Sequence, residues 1–320
     1  MVNESDITFV VQGNVLDTTT ETVLLINKLF PESCIILSTS KGQDLTNIIV
    51  DKIIESKDVG PTVIKYNKHS NPHTVNVNRQ ITSSINGLKA VKTKFSVKIR
   101  SDNKLTSRAM MNYFGVFDHH RDHAYSLFEN RIVTSNYFAK EYTQGLKIPF
   151  FISDFFQFGL TKDLVDLWDI TLFDDYIFNN EFLGKLQHEN LPYRQHHVEQ
   201  KLWLKFINKH RKVSLKNKFG DSDLVKLSYK LMLNNIVIVD GKLLGLSVPK
   251  RLEQHDGFPY DNFTHSRWHY LYKKHFNLPI NDTKGMVIKW SIAKCYSFLK
   301  SGLRTKLKDR IRYISSSFKT

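Results

Sequence analysis

Ile7-Thr-Phe-Val-Val-Gln-Gly13 is the stretch that decides the fold class of this chain. Its β-branched and aromatic residues, followed by a glycine, are typical of a buried strand that ends in a turn. Residues 18–30 then carry apolar side chains at helical spacing, and Pro31 predicts the end of that helix. The next run, Cys34-Ile-Ile-Leu-Ser38, predicts a second buried strand.

The alternation of strands and helices continues downstream. Lys52–Glu55 predicts a third short strand, residues 78–91 predict a helix with one apolar face, and Phe95–Ile99 predicts a strand that ends at Arg-Ser-Asp102. Strands that alternate with helices predict a largely parallel sheet, which binds ligands at the carboxyl ends of its strands. We therefore expect an α/β fold with helices flanking the sheet.

The second half of the chain is more mixed. Phe150–Asp154 predicts a strand that leads to a helix at residues 161–168, and further helices are predicted at residues 197–209 and 222–233. Asp240-Gly241 lies between two apolar runs, which favours a β-hairpin.

The last part of the chain has a different character. Its apolar residues step by three and four, with lysines and arginines between them and Asp309 as the single acid. This pattern predicts a basic amphipathic helix within residues 286–320. Such a helix either packs on the domain with its basic face in water or binds an anionic membrane surface, and we favour the membrane. The stripe consists of Ile292, Tyr296, Leu299, Leu303, Leu307, Ile311, Ile314 and Phe318.

Composition narrows the location and the partners. The formal net charge of +15 suits nucleic acid, an anionic membrane surface or phosphate-bearing substrates. We expect no nucleic-acid binding, because no recognised binding motif is present. The start of the chain lacks a signal-peptide pattern, and the only cysteines are Cys34 and Cys295, so we expect a cytoplasmic protein.

Phe95-Ser-Val-Lys-Ile-Arg-Ser-Asp102 is the first candidate for chemistry. Asp102 follows a predicted buried strand, where a carboxylate can hold Mg²⁺ or Mn²⁺ together with phosphates and water. Arg100 lies two residues earlier and can neutralise phosphate charge. Spacing alone favours the alternative, an ordinary charged strand end exposed to water, because such strand ends are common.

Seven segments, in order, resemble the WavE family of lipopolysaccharide-synthesis proteins. They extend over about the first two-thirds of the chain. The segments are Phe9–Gly13, Ile36–Thr39, Asp58–Gly60, Val75–Ile81, Lys98–Asp102, Ile152–Gly159 and Glu199–Trp203.

This resemblance implies a bacterial glycosyltransferase with a GT-A-like, Rossmann-type sheet. It would comprise residues 1–285, with a donor-binding half over 1–115 and an acceptor and catalytic half over 116–285. Carried over by position, Arg100-Ser101-Asp102 is the acidic donor-binding motif. It departs from the fuller Asp-x-Asp form because arginine occupies the first acidic place. The need for a cation is therefore in question, and arginine would take over part of its role.

Other strand and helix ends complete the predicted donor site. A helix N-terminus binds anions through free backbone N–H groups, although the same residues can simply cap the helix. A glycine allows close approach of the backbone to a ligand. On this basis the phosphates are assigned to Asn78 and Arg79, and the base and ribose to Gln12, Gly13, Ser38 and Thr39.

An inverting transferase needs a general base for the acceptor hydroxyl. Glu199 lies near the start of a predicted helix and fits that role, but an acid in a first turn also stabilises a helix dipole. Asp154 is the rival base, with a structural or acceptor-binding role as the alternative.

Three functions remain open from the sequence. The leading one is an inverting transfer from a nucleotide-sugar to a lipopolysaccharide or capsular polysaccharide acceptor at the inner face of the cytoplasmic membrane, where we expect the acceptor to be lipid-linked. The second is transfer of a polyol phosphate from a CDP-linked donor. The third is a non-enzymatic basic adaptor that binds membrane or nucleic acid.

Overall fold

The computed structural model describes residues 2–66, 71–176, 196–215, 218–253, 261–280 and 284–307. A seven-stranded sheet forms its centre, in the order β12-β8-β11-β6-β1-β2-β3. The strands of this sheet are β1 (Ile7–Gln12), β2 (Cys34–Ser40), β3 (Lys52–Ser56), β6 (Phe95–Arg100), β8 (Ile132–Ser135), β11 (Phe156–Leu160) and β12 (Ile236–Val239).

Three small two-stranded pairs and nine helices surround this sheet within the described ranges. The paired strands are β4 (Thr62–Tyr66) with β5 (Pro72–Val75), β7 (Lys104–Leu105) with β13 (Leu246–Ser247), and β9 (Tyr142–Thr143) with β10 (Leu146–Lys147). The helices are α1 (Asp17–Leu29), α2 (Val77–Lys89), α3 (Thr161–Trp168), α4 (Val198–His210), α5 (Ser222–Asn235), α6 (Gly241–Leu244), α7 (Lys250–Glu253), α8 (His265–His275) and α9 (Lys284–Ser297).

The central sheet is mostly parallel, as the alternating pattern predicts. Strands β3, β2, β1 and β6 run in one direction, β11 is antiparallel to both of its neighbours, and β8 and β12 return to the first direction. The described strands from both halves of the chain therefore join in one sheet. The central strands β1 and β11 are buried along their whole length, including their polar residues Gln12 and Gln157.

Helices cover both faces of the sheet. Adjacent residues of β1 point to opposite sides, so each face of this strand packs against a different helix. The ring of Phe9 contacts the ring of Phe30 at the end of α1, with centroids 4.9 Å apart. The neighbouring Val10 lies against Gly87 of α2, where there is no room for a side chain. A strand with large apolar residues on both faces is thereby enclosed.

The predicted strand at Phe150–Asp154 is wrong, because the strand begins at Phe156 and runs antiparallel to β6. Phe150 adopts a left-handed conformation with φ 58°, which interrupts an extended run. Its ring is nevertheless fully buried. The apolar run therefore predicts the burial of this segment correctly, but it does not predict the conformation of its backbone.

The predicted hairpin at Asp240-Gly241 is also wrong. Strand β12 pairs in parallel with β8, and Asp240 instead precedes the short helix α6. Gly241 is required there because a side chain would overlap the ring of Tyr137. Its N–H donates to the side-chain oxygen of Asn136 at 2.9 Å. The glycine serves close packing rather than a two-residue turn.

Helix α9 is followed by a π-helical turn at Phe298–Gly302, and helical structure continues to residue 307. The predicted stripe residues Ile311, Ile314 and Phe318 lie outside the described residues. In the part of the chain that is described, no helix combines the length and the apolar character needed to cross a membrane.

We predict that Gly87→Ala destabilises the protein by about 1–3 kcal/mol, because overpacking forces buried neighbours to move. The new methyl group would overlap Val10 and lie 2.8 Å from Cβ of Ser38. Gly285→Ala in α9 is the matched control, since nothing lies within 4 Å of its added methyl group. Thermal unfolding of both variants measures the difference, and equal melting temperatures would contradict the packing argument.

Candidate active site

A cavity of about 500 Å³ opens at the edge of the sheet where β1 and β6 end. The start of α2, the segment before β11, the start of α4 and helix α7 complete its wall. Eight of the residues assigned from the sequence line it: Gln12, Gly13, Arg79, Arg100, Ser101, Asp102, Asp154 and Glu199.

Strand direction explains why these residues meet. Gln12 pairs in parallel with Arg100, so the carboxyl ends of β1 and β6 lie side by side. Phe156 pairs with Ile99 in an antiparallel ladder, so β11 begins at the edge where β6 ends. Asp154, two residues before β11, is therefore carried to the same edge as Asp102.

Arg100 and Asp102 form a bidentate ion pair in this cavity. Nε of Arg100 donates to Oδ1 of Asp102 at 2.8 Å, and a terminal nitrogen donates to Oδ2 at 2.7 Å. The guanidinium also lies over the ring of Phe155, 4.8 Å from its centroid. Burial alone would raise the pKa of Asp102, but the hydrogen bonds from Arg100 together with the positive charges of Arg100 and Arg251 outweigh burial and hold that pKa below its usual value.

The predicted cation site at Asp102 does not fit a divalent metal well. Both oxygens of the carboxylate accept hydrogen bonds from Arg100, and Arg251 approaches Oδ2 at 3.4 Å. Across the described ranges, no three His, Cys, Asp or Glu side chains gather as they would around a metal ion. A cation would have to displace the guanidinium, so the arrangement fits arginine better than Mg²⁺ or Mn²⁺.

A second polar network lies on the opposite wall, around Asp154. Oδ2 of Asp154 accepts a short hydrogen bond from the side-chain amide of Gln80, and the backbone carbonyl of Asp154 accepts one from Nζ of Lys98. Lys98 is fully buried within β6, with its ammonium 4.5 Å from the ring centroid of Trp168. Burial lowers the pKa of Lys98 to about 7.

Glu199 stands beside Asp154 in the first turn of α4 and is half-buried. Burial, followed by the negative charge of Asp154, raises the pKa of Glu199 to about 8. Once it has lost its own proton, at about pH 8 and above, such a carboxylate is basic enough to take a proton from a substrate hydroxyl. Two neighbouring carboxyl groups with different environments are typical of acid–base chemistry.

The end of β1 brings the backbone close to the cavity. Gly13 has φ 125°, and a side chain there would lie 2.8 Å from Oγ of Ser101. Ser101 donates from its hydroxyl to the carbonyl of Asn14 at 2.7 Å. Gln12 accepts from the hydroxyl of Ser83 at 2.9 Å. These contacts hold the floor of the cavity in place.

Three residues assigned to the donor do not line the cavity. Ser38 donates to the carbonyl of Ser83 at 2.7 Å, and Thr39 is buried within β2. The side chain of Asn78 is bound at both ends to the backbone of Phe173, with distances of 2.8 Å. The side chains of these three residues therefore face the protein interior rather than the cavity.

Arg79 lies at the cavity wall but is already paired. Its guanidinium binds both carboxylate oxygens of Asp58 at 2.7 and 2.6 Å, and it also donates to Asn76. The hydrogen bonds from Arg79 lower the pKa of Asp58 to about 2. A phosphate would therefore have to compete with Asp58 for this side chain.

Comparison with known proteins identifies the family. The model of the family described as WavE lipopolysaccharide synthesis matches residues 7–301. The chain belongs to the WavE lipopolysaccharide synthesis family. The resemblance inferred from seven short segments is thus confirmed over nearly the whole chain. Among curated proteins, no match to the chain is found.

Two solved structures are similar to this WavE protein. HddC from Yersinia pseudotuberculosis is 12% identical with a TM-score of 0.29, covering 56% of this chain and 85% of its own. The glycosyltransferase GlyE of Streptococcus pneumoniae TIGR4 is 11% identical with a TM-score of 0.31, covering 91% of this chain and 63% of its own. Both TM-scores are too low to support a comparison of residue positions between these structures and this chain.

Two cavity residues of the WavE protein, Gln80 and Arg251, were not predicted from the sequence, and neither was the buried Lys98 that binds the carbonyl of Asp154. Lys98 has a signal, because a lysine between valine and isoleucine in a buried strand needs a polar partner. Gln80 lies in the first turns of a predicted helix, and no sequence pattern indicates its hydrogen bond to Asp154. Arg251 lies 149 residues from Asp102, and no local pattern connects them.

We predict that Glu199→Gln stabilises the protein increasingly as pH rises from about 5 to about 9. Between the unfolded pKa of Glu199 and its folded pKa of about 8, the folded state keeps a proton that the unfolded state has lost, so rising pH destabilises the wild type. Melting temperatures across this range test the prediction.

The comparison must be made between variants, because Lys98 titrates with the opposite effect above about pH 7. Glu55→Gln, at an exposed position of β3, controls for the loss of one negative charge. A difference between Glu199→Gln and wild type that stays constant with pH would show that Glu199 does not hold its proton.

Proposed function

We propose that this WavE protein is an inverting glycosyltransferase that transfers a sugar from a nucleotide-sugar donor to a growing lipopolysaccharide or capsular polysaccharide acceptor. One observation carries the proposal. A single cavity sets a guanidinium pair, Arg100 and Arg251, beside a carboxyl pair, Asp154 and Glu199. The first pair suits a diphosphate, and the second suits proton removal from a hydroxyl.

The phosphates of the donor would bind the two arginines. Asp102 holds Arg100 in a fixed orientation, and a preorganised cation stabilises charge that develops on a leaving group. The side chain of Arg251 is 70% exposed and contacts Asp102 only at 3.4 Å, so it is free to turn toward a ligand. Guanidinium groups bind phosphate oxygens through two parallel hydrogen bonds. The two arginines would thereby take the place of a metal ion held by a single carboxylate.

The nucleoside would lie along the end of β1, against Gln12, Gly13 and Ser101. The positive φ of Gly13 and its closeness to Ser101 leave the backbone exposed on the cavity side. Ser38, Thr39 and Asn78 are not part of this proposal, because their side chains bind within the protein. Arg79 would contribute only if phosphate displaces Asp58.

Glu199 would act as the general base. As the acceptor oxygen forms its bond to the anomeric carbon, the bond from that carbon to the diphosphate breaks and the acceptor proton moves to Glu199. A single displacement inverts the anomeric configuration. Asp154 assists from beside the base, because its negative charge raises the proton affinity of Glu199.

The C-terminal helical segment would hold the protein on an anionic membrane surface, where a lipid-linked acceptor is found. Six apolar side chains there are between 45% and 64% exposed. Six lysines and arginines and no acid occur in residues 284–307. Apolar exposure together with cationic charge is typical of interfacial binding. The exposed side chains are Ile288, Ile292, Tyr296, Leu299, Leu303 and Leu307.

We predict that purified protein releases nucleoside diphosphate from one nucleotide-sugar of a donor panel, and that Glu199→Gln lowers this rate about 100-fold or more. The wild-type rate should rise with pH through about 8, because the base must lose its proton first. Asp154→Asn should move that midpoint to lower pH, since it removes the like charge that raises it.

Glu55→Gln is again the control and should keep the wild-type rate. A wild-type rate in Glu199→Gln, or a pH midpoint that Asp154→Asn leaves unchanged, would rule out this assignment of the base. Turnover of a CDP-linked polyol, with no nucleotide-sugar used, would favour the polyol-phosphate transferase instead.

We predict that Ile292→Glu combined with Leu299→Glu abolishes binding to vesicles that contain phosphatidylglycerol, as measured by co-sedimentation. Burying ionised carboxylates in the bilayer interface is unfavourable, and they also repel anionic lipid. Leu24→Glu in α1, where the leucine is 59% exposed, is the control for an equivalent surface change. Unchanged sedimentation of the double variant would exclude the helix as the membrane contact.

A further inference from the structure

A second cavity, of about 110 Å³, lies between α8, α9 and the residues that begin β9. For scale, an engineered cavity of about 150 Å³ encloses one benzene ring, so a larger ring that carries hydroxyl groups would lie only partly inside this cavity. We propose that this cavity is a subsite for one uncharged sugar ring of the acceptor saccharide. This inference rests on the proposed glycosyltransferase function and assigns where its acceptor binds.

The wall contributed by α8 and α9 is aromatic. Tyr270 and Trp290 pack with ring centroids 5.6 Å apart, and the guanidinium of Arg267 lies 5.1 Å from the Trp290 centroid. A sugar ring presents an apolar C–H face and a rim of hydroxyl groups. Amphipathic rings such as indole and phenol match the apolar face while leaving polar edges available.

The opposite side of the cavity offers hydrogen-bonding groups that the protein leaves unused. The carboxylate of Asp261 accepts no hydrogen bond from a described residue, and burial raises its pKa. Tyr142 is 7% exposed, and its hydroxyl lies beside the carboxylate of Glu141 without meeting any acceptor of the described ranges at full hydrogen-bond geometry. A buried hydroxyl without a partner is costly, which points to a ligand or water that completes it.

A rigid frame supports this subsite. Glu141 is buried and accepts two hydrogen bonds from Arg267, at 2.9 and 2.7 Å, and one from the hydroxyl of Tyr229 at 2.7 Å. The cavity is lined by two positive side chains, Arg267 and Lys294, and by two carboxyl groups, those of Glu141 and Asp261, so the formal charges of its lining cancel. A lining without net charge favours a neutral ring over a phosphate group.

The subsite adjoins the proposed membrane contact. Its α9 wall belongs to the helix that exposes Ile288 and Ile292. Lys140 pairs with Asn262 at the subsite through a β-bridge, and its positive charge acts on both Asp261 and Glu199. A lipid-linked saccharide of several rings would place one ring in the subsite and extend from there toward Glu199.

Saturation-transfer difference NMR tests this subsite on the full chain with glucose, galactose, mannose and N-acetylglucosamine as separate probes. We expect at least one sugar to show transfer in the wild type. Trp290→Ala and Asp261→Asn should each lose that signal, and Asp102→Asn in the donor cavity should keep it. The conservative Asp261→Asn guards against loss of signal through disruption of α9.

Several outcomes would overturn the subsite. These are transfer to none of the four sugars, a signal that survives both Trp290→Ala and Asp261→Asn, or a signal that disappears in Asp102→Asn. Donor hydrolysis by the wild type separates this inference from the proposed function, because it uses water and is measured without any acceptor sugar. Sugar binding without donor hydrolysis in the wild type would refute the transferase and leave the subsite intact.

Discussion

The position of β6 between β1 and β11 is the constraint on which the candidate site depends. Its parallel pairing with β1 brings two carboxyl strand ends together, and its antiparallel pairing with β11 adds a strand beginning at the same edge. Without the reversal of β11, Asp154 would lie at the far edge of the sheet from Asp102. Backbone hydrogen bonding between the strands thus places these charged groups at one edge of the sheet.

The charges gathered at this edge divide into two groups with different consequences. Arg100 and Asp102 satisfy each other, so their pairing fixes an orientation and leaves little capacity for a metal ion. Asp154 and Glu199 repel each other in a partly buried place, so one of them keeps a proton near neutral pH. The first group suits a permanent anion such as a diphosphate. The second suits proton transfer, and fully buried Lys98 offsets part of its negative charge.

Sequence reasoning was most successful where local patterns and burial agree. Ile7–Gln12 and Phe95–Ile99 are rich in β-branched and aromatic residues, and both segments form buried strands. It failed at Phe150–Asp154, where an apolar run is buried without forming a strand. It also failed at Asp240-Gly241, where the glycine allows close packing instead of forming a hairpin turn. Eight of eleven assigned site residues line one cavity because strand ends in a parallel sheet converge. The other three point inward, which spacing along the chain does not reveal.

The sequence by itself determined the mostly parallel α/β architecture, the family and the edge of the sheet at which the polar residues collect. These follow from hydrophobic periodicity and short motifs, which are local properties of the chain. Only the tertiary structure decided that Arg100 occupies both oxygens of Asp102, that Arg251 joins them, and that Asp154 raises the proton affinity of Glu199. Such contacts depend on distances between residues remote in sequence, and those distances exist only once the strands have paired.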